Sequence, residues 1–108
     1  MWKVLFTDEA LEELDALPKR EQVAIAAAVL KLEAMGPNLS APHSSNIQGI
    51  DFVLRELRPR RGDCPWRAFY VRHGKGFLIC SVGPEARQDR RRFDRAVRLA
   101  GQRMLEYE

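Results

Sequence analysis

A chain of 108 residues, 45% of them hydrophobic, suffices for one domain over residues 1–108 but leaves its core little to spare. No apolar stretch approaches the roughly 20 residues a membrane span needs, and the opening Met1-Trp2-Lys3-Val4-Leu5-Phe6-Thr7 meets acidic residues at once, unlike a signal peptide, so a cytoplasmic location is expected. The net charge of +3 hides a cationic half suited to a polyanion such as RNA or DNA: residues 1–54 carry 4 basic and 8 acidic side chains, residues 55–103 carry 14 and 5.

Residues 2–6 read as a short strand. Asp8, Glu9, Glu12 and Glu13 follow, with Leu11, Leu14 and Leu17 spaced three apart, and Thr7 or Asp8 is placed to cap a helix whose first turn is acidic. Pro18 ends that helix and opens the next, being tolerated in a first turn. The second helix runs to about Met35 on a stripe of Ile25, Val29 and Leu32, thickened by Ala24, Ala26, Ala27 and Ala28, and Gly36-Pro37 stops it. The short turn between the two predicts an antiparallel helical hairpin.

Residues 37–49, rich in Ser, Asn and Pro, read as a loop. Three strands are expected next, over about 52–58, 66–73 and 76–82. His73-Gly74-Lys75-Gly76 is a tight hairpin turn, and residues 59–65 form a longer basic one. From about 89 to 106 the pattern turns helical, with Phe93, Val97, Ala100 and Met104 on one stripe. The order strand-helix-helix-strand-strand-strand-helix describes an α+β domain, its antiparallel sheet covered by helices on one face.

Side chains alternate across a strand. Glu56 and Arg58 therefore share one face and Arg55 and Leu57 the other; Arg67 shares a face with Phe69 and Val71. If the loop over residues 59–65 closes symmetrically, Arg58 lies opposite Arg67, and two such guanidiniums repel unless an anion bridges them or Glu56 relieves the charge. Arg58, Arg60, Arg61, Arg67 and Arg87, all near strand ends, form a set suited to phosphate oxygens. Arg90, Arg91 and Arg92 span about 300° of a helix and cannot all face one pocket; with Arg95 and Arg98 they read as a solvated face, or a surface for an acidic partner, that adds salt-dependent affinity for nucleic acid. Cys64 and Cys80 sit in no CxxC or Cys/His cluster, and His43 and His73 complete none, so neither a metal nor a disulfide is expected.

Leu54-Arg55-Glu56-Leu57-Arg58, Trp66-Arg67-Ala68-Phe69-Tyr70 and Phe77-Leu78-Ile79-Cys80, in that order, resemble the RelE/ParE toxin superfamily, in its phage-derived, HigB-type branch. That branch shows a Leu-Trp-Glu-Leu-Arg strand, a Tyr-Arg-Val-Leu-Tyr strand and an apolar third strand; the opening Phe6-Thr7-Asp8-Glu9-Ala10 and the helix end Leu14-Asp15-Ala16-Leu17-Pro18 are similar too. The resemblance implies a RelE-like fold and the toxin of a type II toxin–antitoxin module: an mRNA interferase, a metal-independent endoribonuclease without cofactor, that enters the ribosomal A site and inhibits translation. Its implied partners are mRNA, the ribosome and a cognate antitoxin of helix-turn-helix type, with operator DNA met only through the antitoxin. By matching position Arg58 and Arg67 are the strand arginines, joined by Arg87 as catalytic candidates; Arg55, Arg60, Arg61, Arg90 and Arg91 are candidates for RNA binding. Arg67→Ala should then lower toxicity sharply while folding and antitoxin binding survive. The chain departs from the branch after the third strand, where a lysine-rich turn is replaced by Gly83-Pro84-Glu85-Ala86-Arg87. Two alternatives stay open beside the nuclease: a gyrase poison acting through the basic C-terminal helix, and a degenerate member that only joins an antitoxin–operator complex. Glu56, His73 and Tyr107 are weighed as the general base, and none is assigned.

Overall fold

The computed structural model of the protein describes residues 1–107 and opens with strand β1 (Lys3–Phe6). Glu108, the last position of the expected domain, lies outside the described residues. Thr7 caps α1 (Asp8–Asp15): its Oγ1 accepts from the Ala10 amide at 3.1 Å and donates to the Cys80 carbonyl at 3.3 Å, tying the helix start to the sheet. Pro18 sits at the N-cap of α2 (Lys19–Met35), and the Gln22 amide closes the turn between the helices by donating to the carbonyls of Asp15 and Leu17. Gly36 ends α2 with φ 56°, and a Cβ there would strike the Trp2 indole at 2.3 Å, so only glycine fits on both counts.

Four more strands, β2 (Ser44–Asn46), β3 (Arg55–Leu57), β4 (Trp66–His73) and β5 (Gly76–Pro84), complete a five-stranded sheet in the order β1-β5-β4-β3-β2. The expected antiparallel hairpins are present, with Leu57 opposite Ala68 and His73 opposite Gly76. Gly74, at φ 58°, opens the two-residue turn between β4 and β5. The chain ends its described part with α3 (Arg90–Glu106), whose Phe93, Val97 and Ala100 are buried as their spacing requires.

Three features differ from the sequence expectation. β1 pairs in parallel with β5, which makes β5 an inner strand buried along its whole length. Helices accordingly cover both faces rather than one. Leu57, Ala68, Tyr70, Phe77 and Ile79 pack with Ala10, Ile25, Ala28 and Leu32 of α1 and α2, whereas Phe69, Val71, Leu78 and Cys80 pack with Phe93, Ala96, Val97 and Ala100 of α3. The physical reason is the unbroken apolar run of β5: side chains apolar on both faces need cover on both. A register shift sets Phe69 opposite Ser81 and Tyr70 opposite Ile79, so Cys80 is an extra residue that turns the strand back into phase, as β-bulges do.

The remaining difference is in the loops. β2 lies inside the stretch read as loop, held at the sheet edge because the buried Ser44 hydroxyl meets the Tyr70 hydroxyl at 2.6 Å and accepts from Arg55 Nε at 2.9 Å. β3 is shorter than expected because Phe52 leaves the sheet to pack on α3, where a Cβ at Gly101 would lie 2.8 Å from its ring.

Candidate nucleic-acid interface

The start of β4, the loop over residues 59–65 and the segment after β5 meet at one side chain. Arg67 is buried (side chain 3% exposed) and all five of its N–H groups face acceptors. Nε donates to Glu56 Oε1 at 2.9 Å and Nη2 to Glu85 Oε2 at 2.7 Å; Nη1 donates to the carbonyls of Cys64 and Trp66, and Nη2 also reaches the Gly62 carbonyl at 3.5 Å. The Glu85 amide donates to the Pro65 carbonyl at 2.8 Å, closing the same junction a second time. The anion that an Arg58–Arg67 pair requires is therefore internal. Two carboxylates already engage this guanidinium, so a phosphate reaching Arg67 would have to displace one of them.

Arg58 differs. Its guanidinium lies against Gly62, where a Cβ would fall 2.8 Å from Nη2, and its buried Nε has no hydrogen-bond partner among the described residues. Gly62, at φ 96°, is thus the shared neighbour of Arg58 and Arg67: the two do meet at one end of the sheet, one with a free donor and one without. Arg87 is exposed in the turn after Glu85, two residues from the carboxylate that Arg67 holds.

The other arginines divide by partner. Arg60 and Arg61 both hold left-handed backbone (φ 51° and 57°), which turns their side chains to different neighbours. Arg60 makes a two-point contact with Glu21, 3.1 Å to each oxygen, and Arg61 is exposed. Cys64 Sγ also donates to Glu21 at 2.9 Å. That bond first, then the Arg60 contact, holds the Glu21 carboxyl below the usual carboxylate range; burial, and then the same bond, pushes the Cys64 thiol up to about 11. Burial and the cations Lys31 and Arg61 lower the pKa of His43. Arg55 belongs with Ser44 and Tyr70 to the face of the sheet covered by α1 and α2, opposite that of Phe69. Arg90 pairs with Asp94 at 3.2 Å on an exposed face and covers the Phe93 ring; Arg91 is exposed.

Sequence reasoning missed Glu85 and the Glu21–Cys64–Arg60 cluster, because their partners lie 18 to 43 residues away and no local pattern marks them. It also missed the contact of Arg92 over the Trp66 ring, 5.4 Å from its centroid. These two side chains, with Arg95 and Arg103, line a groove of about 310 Å³ between α3 and the end of α1. His73 and Tyr107 are stacked edge to face at 5.2 Å at the far end of β4, six residues or roughly 20 Å from Arg67 at a strand's usual rise. Both cysteines are free thiols, and among the described residues no cluster of three or more His, Cys, Asp or Glu is placed to hold a metal. No helix there is long and apolar enough to cross a membrane.

Residues 12–104 match the family described as "Phage derived protein Gp49-like (DUF891)". No curated protein matches the chain. Among solved structures, the fold is similar to that in the crystal structure of the archaeal RelE–RelB complex from Pyrococcus horikoshii OT3, with a TM-score of 0.59 and 21% identity over 80% of this chain and 97% of that one. That likeness is one of fold; the family match covers the sequence from α1 to the last turn of α3. The chain belongs to the Gp49-like family of phage-derived proteins.

Proposed function

We propose that the protein is the toxin of a toxin–antitoxin module and acts in the cytoplasm as a ribosome-dependent mRNA endoribonuclease. The observation that supports this reading is two cations without an ion pair among the described residues, the half-buried Arg58 and the exposed Arg87, next to the two segments that Arg67 ties together. In such cleavage a ribose 2′-hydroxyl attacks the adjacent phosphate, and its proton and the leaving 5′-oxygen's new proton are exchanged with groups held nearby. Arg58 and Arg87 stabilise the charge that builds on the phosphate, a contribution on the order of a few kcal/mol for each well-placed donor. Arg67 positions them by holding Glu85 and the 59–65 loop. Arg61, Arg90 and Arg91 attract the RNA strand, and no metal or cofactor takes part. The partner is an antitoxin that neutralises the chain and links it to operator DNA; the RelE–RelB complex supports a partner of that kind.

The saturated state of Arg67 favours a second reading, a toxin that does not cut RNA. Such a toxin poisons DNA gyrase through the basic face of α3 or acts only within the antitoxin–operator complex. Inducible expression followed by primer extension on mRNA separates them. Codon-dependent cuts accompanying growth arrest support the nuclease. Arrest with DNA damage and intact mRNA supports the gyrase poison, and undisturbed growth supports the binder.

A further inference from the structure

A helix that is apolar on every side is normally buried on every side. α2 breaks that rule. Ala24, Ile25, Ala28 and Leu32 face the core, yet the opposite side carries Val23 and Leu30, each 61% exposed, together with the exposed Ala26, Ala27 and Ala34. At 100° per residue, Val23, Ala27, Leu30 and Ala34 fall within about 60° of one another and form a continuous outward stripe. Three of these four side chains are unbranched at Cβ, which keeps the surface shallow enough for a helix to lie along it.

The stripe is flanked unevenly by charge. On one side lie the exposed Arg20 and Lys31 of α2; Lys31 lines a groove of about 210 Å³ with Ala27, His43 and Arg58, and the exposed Arg61 is in the loop beyond. The acidic residue nearest that edge, Glu21, is already bound by Arg60 and Cys64. On the other side the helix offers Lys19, Gln22 and Glu33. Whatever covers the stripe thus meets positive charge from Arg20 and Lys31 along one edge and a mixed edge of Lys19 and Glu33 along the other.

We propose that the outer face of α2 is a docking surface for an acidic amphipathic helix of the antitoxin. Its apolar face covers Val23, Ala27 and Leu30, and its carboxylates lie over Lys31 and the groove beside it. This rests on the toxin–antitoxin reading above and adds the surface and the chemistry of the partner. The groove beside Lys31 is also lined by Arg58, so a segment docked there covers one of the cations assigned to RNA. The charged edge sets the helix direction and raises the encounter rate, while the apolar stripe holds it.

The test is calorimetric titration of the purified chain with the protein encoded by the neighbouring reading frame. Both Val23 and Leu30 are mostly solvent-exposed, so Val23→Glu/Leu30→Glu keeps the fold, which circular dichroism checks. Affinity should fall by about 100-fold in that variant, as for loss of an interface centre. It should fall by about 10-fold in Lys31→Glu, with the Lys31 effect vanishing at high salt. Leu11→Glu, at an exposed position on α1, should leave it unchanged. Binding that survives both the double change and Lys31→Glu overturns the docking surface and leaves the toxin reading standing. No binding at all by the unaltered chain overturns the toxin–antitoxin reading itself. Self-association of the chain alone that Leu30→Glu abolishes assigns the stripe to a second copy and overturns the acidic helix.

Discussion

At the scale of single residues, Arg67 shows how one side chain fits two roles in sequence and one in space. Alternation along β4 places it on the face of Arg58, as a phosphate ligand requires, but Glu56 and Glu85 occupy it. Arg67→Ala would leave two carboxylates, 16% and 26% exposed, without their cation. Breaking a buried pair costs about 3–5 kcal/mol, and the partial exposure of the acids brings this to about 2–4 kcal/mol. Urea denaturation should register that loss, so reduced toxicity in Arg67→Ala reflects instability, contrary to the expectation from sequence that the fold survives. Unchanged stability would return Arg67 to the list of free cations. Arg58→Ala removes a side chain whose Nε has no partner among the described residues, so it should shift the unfolding midpoint little while lowering cleavage by about 100-fold.

Glu21 carries a pH dependence. Its folded pKa is depressed by Cys64 and Arg60, so the folded chain binds fewer protons than the unfolded one in the acid range. The stability it contributes is complete above the unfolded carboxylate pKa and is lost as pH falls through the lower folded value. Glu21→Gln should therefore flatten the acid limb of a pH–stability curve and leave the neutral limb's slope unchanged. Cys64, raised to about 11, should resist alkylation at neutral pH until the chain unfolds.

At the scale of elements, local rules were enough wherever the determinant was local. Gly36 stopping α2, the Gly74-Lys75 turn and the Phe93-Val97-Ala100 stripe are all legible in the sequence, because each depends on backbone freedom or helical periodicity within a few residues. The parallel pairing of β1 with β5 joins residues more than 70 apart, and β2 depends on a buried Ser44–Tyr70–Arg55 cluster rather than on strand-forming residues. Neither leaves a local mark. Gly83 shows the same division. It reads as a turn residue, yet it lies within β5, where α3 comes close enough that a Cβ would sit 2.7 Å from that of Ala96. Gly83→Val should push α3 off the sheet and destabilise the protein by about 1–3 kcal/mol, measurable as a lowered midpoint in thermal unfolding.

At the scale of the whole molecule, the charge partition is the feature that survives from sequence to structure with its meaning altered. The basic half folds into β3–β5 and α3, but several of its cations are spent internally: Arg60 on Glu21, Arg67 on Glu56 and Glu85, Arg103 on Glu13. The site was therefore only partly legible. Residue type and strand alternation point to the right end of the sheet, whereas which guanidinium is free depends on carboxylates brought in from distant segments. The unpaired cations that remain, Arg58 and Arg87 among them, are the basis of the RNA-cleaving account. Its most direct test is incubation of the purified chain with ribosomes holding a defined mRNA codon in the A site, beside an Arg58→Ala/Arg87→Ala variant. The account predicts a cut within that codon by the unaltered chain and its loss in the variant, with ribosome-free RNA left intact. Intact mRNA in the presence of a chain that still arrests growth, or equal cutting by the variant, would contradict it.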